Sequence, residues 1–371
     1  MGRFITEDAR AADRPGLLDY LQEAFKTNDP GHARFETLYP DLFGATDAAM
    51  SRHRVIRGDA GRICACVGWY PMRVRVGACC VDVFGVGQVS CLPALRGGGR
   101  MTALMDDVCE KMEASGAGLA WLSGRRDRYA RFGFEMAGSN LAAGMDGRSA
   151  GEPGAGWRVE QVDAAQRARF WPLRNRAAVR EEVSPETWDA RLMRGGSPHR
   201  VFLASRGGDA EAMCVVQAGA GETLLEWAGE NAGIHAIVAR LLTAQGSVKA
   251  TFAPGFVDPA AQLFWESAAW CNASLSCLRI LNLAALLESY APFLGARVPD
   301  GAGVRLVIAE NNGAAQLGAA GGGTLTLGRL AMTRLVFGPL PPSRTADLPG
   351  NLRWLDQVFP LPFLLPPSSH V

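Results

Sequence analysis

The hydrophobic pattern in the first 150 residues predicts a strand, a turn and a helix. From Cys79 to Leu92 the chain is apolar and β-branched, which indicates a strand ending at Pro93. Gly85 and Gly87 interrupt this run and indicate a bulge or the close approach of another backbone. A helix that stops at Gly116 is then predicted by apolar residues at helical spacing, namely Met101, Leu104, Met105, Val108 and Met112.

Strand-like and helix-like patterns follow each other through the rest of the chain. Strands are predicted at Leu119–Leu122, Arg200–Ala204 and Leu224–Trp227. A helix is predicted from the spacing of Ile234, Ile237, Val238, Leu241 and Leu242. Together these patterns predict a mixed α/β (α+β) fold.

The last hundred residues carry weaker patterns. A helix-like segment runs from Cys277 through Leu287, and apolar residues alternate at Val304, Leu306 and Ile308. After the turn at 321–323, residues 324–338 predict a strand that runs into a helix burying Leu330, Leu335 and Val336. The stretch 358–365 is apolar but broken by prolines, so we expect it to be packed without regular structure.

Length and local composition suggest where domains begin and end. The 371 residues are enough for two to three domains. A glycine-rich, polar stretch at 144–156 has the composition of a linker or a long loop. We therefore expect domains at 1–150, 151–275 and 276–371.

Charge and hydropathy make several partners improbable. The net charge of +1 gives no overall attraction to nucleic acid or to an anionic membrane. No uninterrupted apolar run reaches the roughly 18 residues needed to span a bilayer. The nine cysteines show no paired CxxC spacing, which argues against a metal site and favours buried, reduced thiols. We expect a cytoplasmic protein without nucleic acid, membrane or metal partners.

The sequence Arg96-Gly97-Gly98-Gly99-Arg100 joins the predicted strand to the predicted helix. Free N–H groups and the positive end of a helix dipole face the same point in such a turn, which makes it an anion site. Arginines add bidentate hydrogen bonds to phosphate oxygens. The turn has neither Walker nor GxGxxG spacing, and a merely flexible loop is the alternative.

Three segments together resemble the GNAT acetyltransferase superfamily. They are residues 89–93, residues 96–104 and the sequence Tyr129-Ala130-Arg131-Phe132-Gly133-Phe134. A large residue, Met101, stands at the last small position of the turn, which is more similar to the Eis-like branch. This resemblance implies two tandem GNAT-type mixed-sheet domains, the second degenerate, followed by a small sterol-carrier-like α+β domain at the carboxyl end.

The resemblance also implies acetyl-CoA as co-substrate and assigns its binding residues. The pyrophosphate is expected on the glycine-rich turn and the thioester carbonyl on backbone N–H groups of Val89 and Cys91. The implied cofactor-binding residues are Val89, Ser90, Cys91, Arg96, Gly97, Gly98, Gly99, Arg100 and Met101. Cys91 as a covalent nucleophile is a weaker alternative, because no histidine lies near it in sequence.

Two further residues carry the expected proton transfers. A phenol with a pKa near roughly 10 stays protonated at neutral pH and can protonate a leaving thiolate, and the resemblance places Tyr129 there. The alternative role of Tyr129 is only to cap the core of an amphipathic helix. The resemblance gives the base role to the carboxylate of Val371, with His370 as the alternative and His53, Asp82 and His235 as weaker ones.

The sequence thus predicts an N-acyltransferase acting on an amine of a small molecule or peptide. Aromatic residues available for the acceptor pocket are Phe25, Phe35, Tyr39, Trp69 and Tyr70. The alternatives are a non-catalytic acyl-CoA or lipid-binding protein and, third, an acyl- or aminoacyltransferase that uses a carrier other than coenzyme A. Assembly into a homo-oligomer is implied by the resemblance alone.

Overall fold

A computed structural model of the chain shows two mixed β-sheets and a carboxyl-terminal segment packed on the first sheet. The structure describes residues 4–26, 31–147, 156–196, 199–219, 221–254, 258, 260, 269–273, 276–298, 314–319 and 323–371. The expected alternation 304–308 lies outside these residues.

The first sheet has eight strands and contains the strand–turn–helix unit that the sequence predicts. Seven strands are hydrogen-bonded in the order β1–β2–β3–β4–β5–β15–β6. The eighth strand, β9, pairs with β3 outside this order. The strands are β1 Glu7–Asp8, β2 His53–Arg57, β3 Ile63–Val76, β4 Cys79–Cys91, β5 Leu119–Leu122, β6 Glu135–Met136, β9 Val179–Glu181 and β15 Cys277–Ile280. The helices associated with it are α1 Arg14–Lys26, α2 Phe35–Leu38, α3 Asp47–Met50, α4 Arg100–Ala114 and α5 Arg126–Tyr129.

The second sheet repeats part of this arrangement. Its seven strands follow the order β14–β7–β13–β12–β11–β10–β8. They are β7 Asn140–Asp146, β8 Arg158–Val162, β10 Arg200–Ser205, β11 Ala210–Gly219, β12 Gly221–Gly229, β13 Ser247–Phe252 and β14 Ala269–Ala273. Its helices are α6 Trp171–Arg174, α7 Pro185–Leu192 and α8 Asn231–Gln245. As in β4–α4–β5, strand β12 leads through a helix to a parallel neighbour, β13.

The carboxyl-terminal segment adds a hairpin and short helices. They are α9 Leu283–Ser289, α10 Ala291–Gly295, β16 Ala314–Ala319, β17 Gly323–Gly328, α11 Arg329–Phe337, α12 Pro342–Thr345 and α13 Leu355–Val358. The predicted strand running into a helix at 324–338 is present, with Leu335 and Val336 buried, whereas Leu330 is half-buried. The proline-broken stretch 358–365 is packed in the same core as α1, as its apolar side chains require.

Two local predictions were wrong. Residues 277–280 form strand β15 and only 283–289 are helical, because the run Cys277–Ile280 is fully buried and pairs with β5 and β6 on both sides. Residues 144–146, expected in a linker, extend strand β7, which pairs with β13 and β14. The predicted domain boundaries near 150 and 275 stay predictions, and strand pairing crosses both: β7 joins the second sheet and β15 the first.

In the described part of the chain, no helix has the length and apolarity needed to cross a bilayer. The nine cysteines are free thiols, and six of them are buried. None of the described residues form a histidine, cysteine and carboxylate cluster of the kind that holds a metal.

Candidate active site

The two parallel strands β4 and β5 separate shortly after they meet. Their pairing covers only Val83–Gly85 against Leu119–Trp121, and β4 then continues to Cys91 while β5 ends at Leu122. On one face of the sheet, apolar side chains of β4 and β5 pack against α4 in a common core. The unpaired edge of β4 offers backbone groups to a ligand inserted between the two strands.

A bulge marks the point where β4 leaves β5. Gly68 pairs with Gly87, whereas Cys66 pairs with Ser90, so two residues of β4 lie opposite the single residue Val67. Gln88, the first of these two, has a φ of 50°, which lies in the left-handed region. Such a conformation costs a non-glycine residue about 1–3 kcal/mol and requires support from its surroundings.

The glycine-rich turn has the form expected of an anion site. Gly97 and Gly99 have φ values of 79° and 85°, which side-chain-bearing residues rarely adopt. Gly99 is the N-cap of the 15-residue helix α4, and it has no side chain to accept a hydrogen bond from the first N–H groups. The first N–H groups of α4 are therefore free of intrahelical partners. Arg96 is exposed and Arg100 is half-buried, with its guanidinium over the Phe4 ring.

The terminal carboxylate of the chain lies against the bulged strand. A Cβ atom added to Gly87 would be 2.8 Å from the Val371 carboxyl carbon and 3.0 Å from its oxygen. One added to Gly85 would be 2.7 Å from Val371 Cγ2. The two glycines in the strand therefore clear the space into which the chain terminus packs, and the predicted close approach of another backbone is that of Val371.

Buried charges hold the residues just before the terminus. Arg194 Nη1 donates to the carbonyl oxygens of Ser368 (3.0 Å) and His370 (2.5 Å), and Arg191 Nη1 donates to Ser369 Oγ (3.0 Å). Both guanidinium groups also pair with Asp41. Burial alone would raise the pKa of Asp41, but the hydrogen bonds and charges of Arg194 and Arg191 outweigh it and lower this pKa. Sequence reasoning missed this anchor, since its members are about 150 residues or more apart.

Tyr129 ends the short helix α5 on the β5 side of the separated strands. Its ring packs on Gly124, where an added Cβ would be 2.5 Å from the ring, and edge-on to Phe134 at 6.5 Å. Burial raises the pKa of Tyr129 above its usual value of 10, so the phenol stays protonated at neutral pH. Tyr129 is thus packed in the core and carries a phenolic proton.

A cavity of about 730 Å³ reaches the terminal residue from the edge of the first sheet. Strand β3 pairs with β2 up to Gly68 and with β9 from Val74, and among the described residues Tyr70–Met72 have no strand partner on that side. Pro71, which has no N–H to leave unpaired, lies in this gap. The lining includes Asp41, Tyr70, Phe84 and Val371, so the cavity extends to the last residue of the chain.

The alternative sequence candidates are placed less favourably. Burial lowers the pKa of His370 and of His53 to about 4, so both are neutral, and His370 packs on the Trp121 ring. Burial raises the pKa of the Cys91 thiol, which disfavours the thiolate that a nucleophile needs. Asp82 is exposed at the cavity rim, and His235 lies on α8 of the second sheet.

Comparison with known proteins found a matching domain family and similar folds. Residues 6–137 match the model of the acetyltransferase (GNAT) domain. The fold is similar to GCN5-related N-acetyltransferases from Anabaena variabilis (TM-score 0.69, 18% identity, 96% of this chain and 97% of that one) and Kribbella flavida (0.69, 19%, 96% and 95%). It is also similar to Eis1 from Mycobacterium abscessus (0.64, 17%, 95% and 96%).

No curated protein sequence gave a match. The structural likenesses establish the fold, a mixed α/β arrangement consistent with tandem GNAT-type domains, and confirm the predicted fold class. The domain match supports acyl transfer as the general chemistry of residues 6–137.

Proposed function

We propose that the chain is an Eis-like N-acyltransferase that transfers the acetyl group of acetyl-CoA to an amine of a small molecule or peptide. The observation that carries the proposal is the Val371 carboxylate packed on Gly87, at the bulge of the strand that leads into the glycine-rich turn. A potential base, a bulged strand edge and an anion site thus follow one another along one strand.

The donor is held by the turn and the strand. The pyrophosphate accepts hydrogen bonds from the free N–H groups at the start of α4 and from Arg96 and Arg100. The pantetheine arm runs between β4 and β5, and the thioester oxygen accepts hydrogen bonds from the N–H groups of Val89 and Cys91. As the amine attacks, negative charge grows on this oxygen, and these donors stabilise it.

Two proton transfers complete the reaction. The Val371 carboxylate, directly or through water, accepts a proton from the attacking amine, which is otherwise protonated at neutral pH. The C–S bond breaks when the tetrahedral intermediate collapses, and Tyr129 donates its proton to the departing sulfur. The products are the N-acetylated amine and free coenzyme A.

The rest of the chain is proposed to follow the Eis-like plan. The domains are 1–150, 151–275 and 276–371, and strands β7, β9 and β15 pair across these boundaries. The second sheet is a degenerate GNAT copy, supported by the repeated β12–α8–β13 unit and by the absence of a glycine-rich arginine turn in residues 229–231. Residues 276–371 are a sterol-carrier-like domain, and the protein works as a cytoplasmic homo-oligomer.

Calorimetric titration with acetyl-CoA tests the donor site. The wild-type chain is expected to bind at micromolar concentration, and Arg96→Ala/Arg100→Ala to lose this binding. Arg62→Ala/Arg158→Ala, which removes two exposed arginines elsewhere, is the matched control and should bind normally. Absence of wild-type binding at saturating acetyl-CoA would contradict the proposal and favour a lipid-binding role instead.

A further inference from the structure

Hydroxyl groups of Tyr20, Tyr70 and Ser90 surround Gln88, a residue of the bulge in β4. Among the described residues only Ala60 and Gln88 are non-glycine residues with positive φ, and Gln88 is 6% exposed. Ala60 lies in an exposed turn, whereas Gln88 lies inside a sheet between Gly87 and Val89. A strained residue in that position persists only when its neighbours determine its conformation.

The Gln88 side chain is held from one direction by Tyr70. Tyr70 Oη donates to Gln88 Oε1 at 2.5 Å and is hydrogen-bonded to His53 Nε2 at 2.9 Å. Gly68 makes this possible, because a Cβ atom there would be 2.4 Å from both Tyr70 Oη and Gln88 Oε1. All three bonded side chains are buried, so no water competes for the hydrogen bonds.

The Gln88 backbone is held from another direction by a second hydroxyl pair. Ser90 Oγ donates to the Gln88 carbonyl oxygen at 3.0 Å, and Tyr20 Oη of α1 is 2.9 Å from Ser90 Oγ. Side chain and backbone of the same residue are therefore restrained by two tyrosines from different elements.

We propose that Tyr70 and Tyr20 are positioning residues for acyl transfer. By fixing the conformation of Gln88 they fix the direction of the adjacent N–H groups of the bulge, which must point at the thioester oxygen in the transition state. The inference rests on the proposed function but concerns residues that do not contact the donor. Because oxyanion donors lose effect steeply when they are displaced, loss of either hydroxyl acts on the chemical step.

Tyr70→Phe tests the first restraint by removing one oxygen atom. We expect kcat to fall about tenfold or more while KM for acetyl-CoA and the calorimetric Kd change less than about twofold. Tyr20→Phe is expected to act in the same direction with a smaller effect, since it reaches Gln88 through Ser90. Thr333→Val removes a buried hydroxyl in α11, away from the bulge, and should leave kcat unchanged.

Gln88→Gly separates positioning from stability. Glycine adopts positive φ without strain, so unfolding stability should be retained, whereas kcat should fall because the bulge is no longer fixed. The double variant Tyr70→Phe/Gln88→Gly should be no slower than Gln88→Gly alone, since both changes remove one restraint. Normal kcat in Tyr70→Phe and Gln88→Gly would overturn the inference. A wild-type chain that binds acetyl-CoA without any turnover would instead contradict the proposed function.

Discussion

Replacing Gly87 by alanine displaces the chain terminus while changing little else. The residue does not have positive φ, so an alanine there is not strained by its backbone conformation. Its Cβ would be 2.8 Å from the Val371 carboxyl carbon, whereas ordinary van der Waals contact begins at 3.4 Å. The carboxylate must therefore retreat by about 0.6 Å, and it can do so because Val371 lies outside the helices and strands.

The expected cost follows from the sensitivity of catalysis to geometry. A misplacement of about 1 Å can lower a rate roughly 100-fold, so we expect kcat to fall by about 10- to 100-fold in Gly87→Ala. KM for acetyl-CoA should change less than about twofold, because the glycine-rich turn is untouched. The free energy of unfolding should change by less than about 1 kcal/mol, since only a chain end moves.

Steady-state release of coenzyme A thiol, together with urea unfolding, measures both quantities. Gly144→Ala is the matched control: this strand glycine lies in β7, where an added Cβ meets its nearest atom, the Ala269 carbonyl oxygen, at 4.0 Å. A variant lacking Val371 should be as slow as Gly87→Ala, and adding Gly87→Ala to it should cost nothing more. Normal kcat in Gly87→Ala would refute the reasoning that the carboxylate at this position takes part in catalysis.

Three other predictions concern the acid, the anchor and the buried histidines. Tyr129→Phe should lower kcat about 100-fold with unchanged acetyl-CoA affinity. Because burial raises the pKa of Tyr129, wild-type kcat should not fall as the pH rises to about 10, and such a fall would exclude Tyr129 as the acid. Arg194→Ala should destabilise the fold by about 3–5 kcal/mol in urea unfolding and expose the last residues to carboxypeptidase, whereas an undigested terminus would contradict the anchoring role. Burial lowers the pKa values of His53 and His370 to about 4, so both are neutral in the folded chain but bind protons below pH 6.5 in the unfolded chain. The free energy of unfolding should therefore fall by up to about 3 kcal/mol for each histidine as the pH drops from 6.5 to 4. His53→Gln should reduce this loss, and an unchanged free energy of unfolding between pH 6.5 and 5 would refute the prediction.

Local sequence patterns were enough to predict the strand–turn–helix unit. An apolar, β-branched run predicts β4, and helical spacing predicts α4, because each pattern lies within a single element. The same logic failed at Cys277–Ile280. A short run that is buried on both faces, here including Arg279, has no periodicity to distinguish a strand from a helix.

Long-range pairing explains what the sequence could not predict about the site. Arg194 and Asp41 are 153 residues apart, and nothing in either local sequence indicates that they form a buried ion pair beside the chain terminus. Tyr70 was expected only as aromatic surface for an acceptor pocket, whereas its hydroxyl binds Gln88 and His53. The glycines at 85 and 87 were a local signal, since they predicted a bulge or a close backbone approach without identifying the partner.

Amine-dependent release of coenzyme A thiol from acetyl-CoA tests the proposed acyl transfer most directly, measured with a panel of primary amines for the wild-type chain and Arg96→Ala/Arg100→Ala. At least one small-molecule or peptide amine should stimulate release by the wild type, and the variant should lose this stimulation. Wild-type protein that is folded and binds acetyl-CoA but releases thiol at the same rate with and without every amine would contradict it.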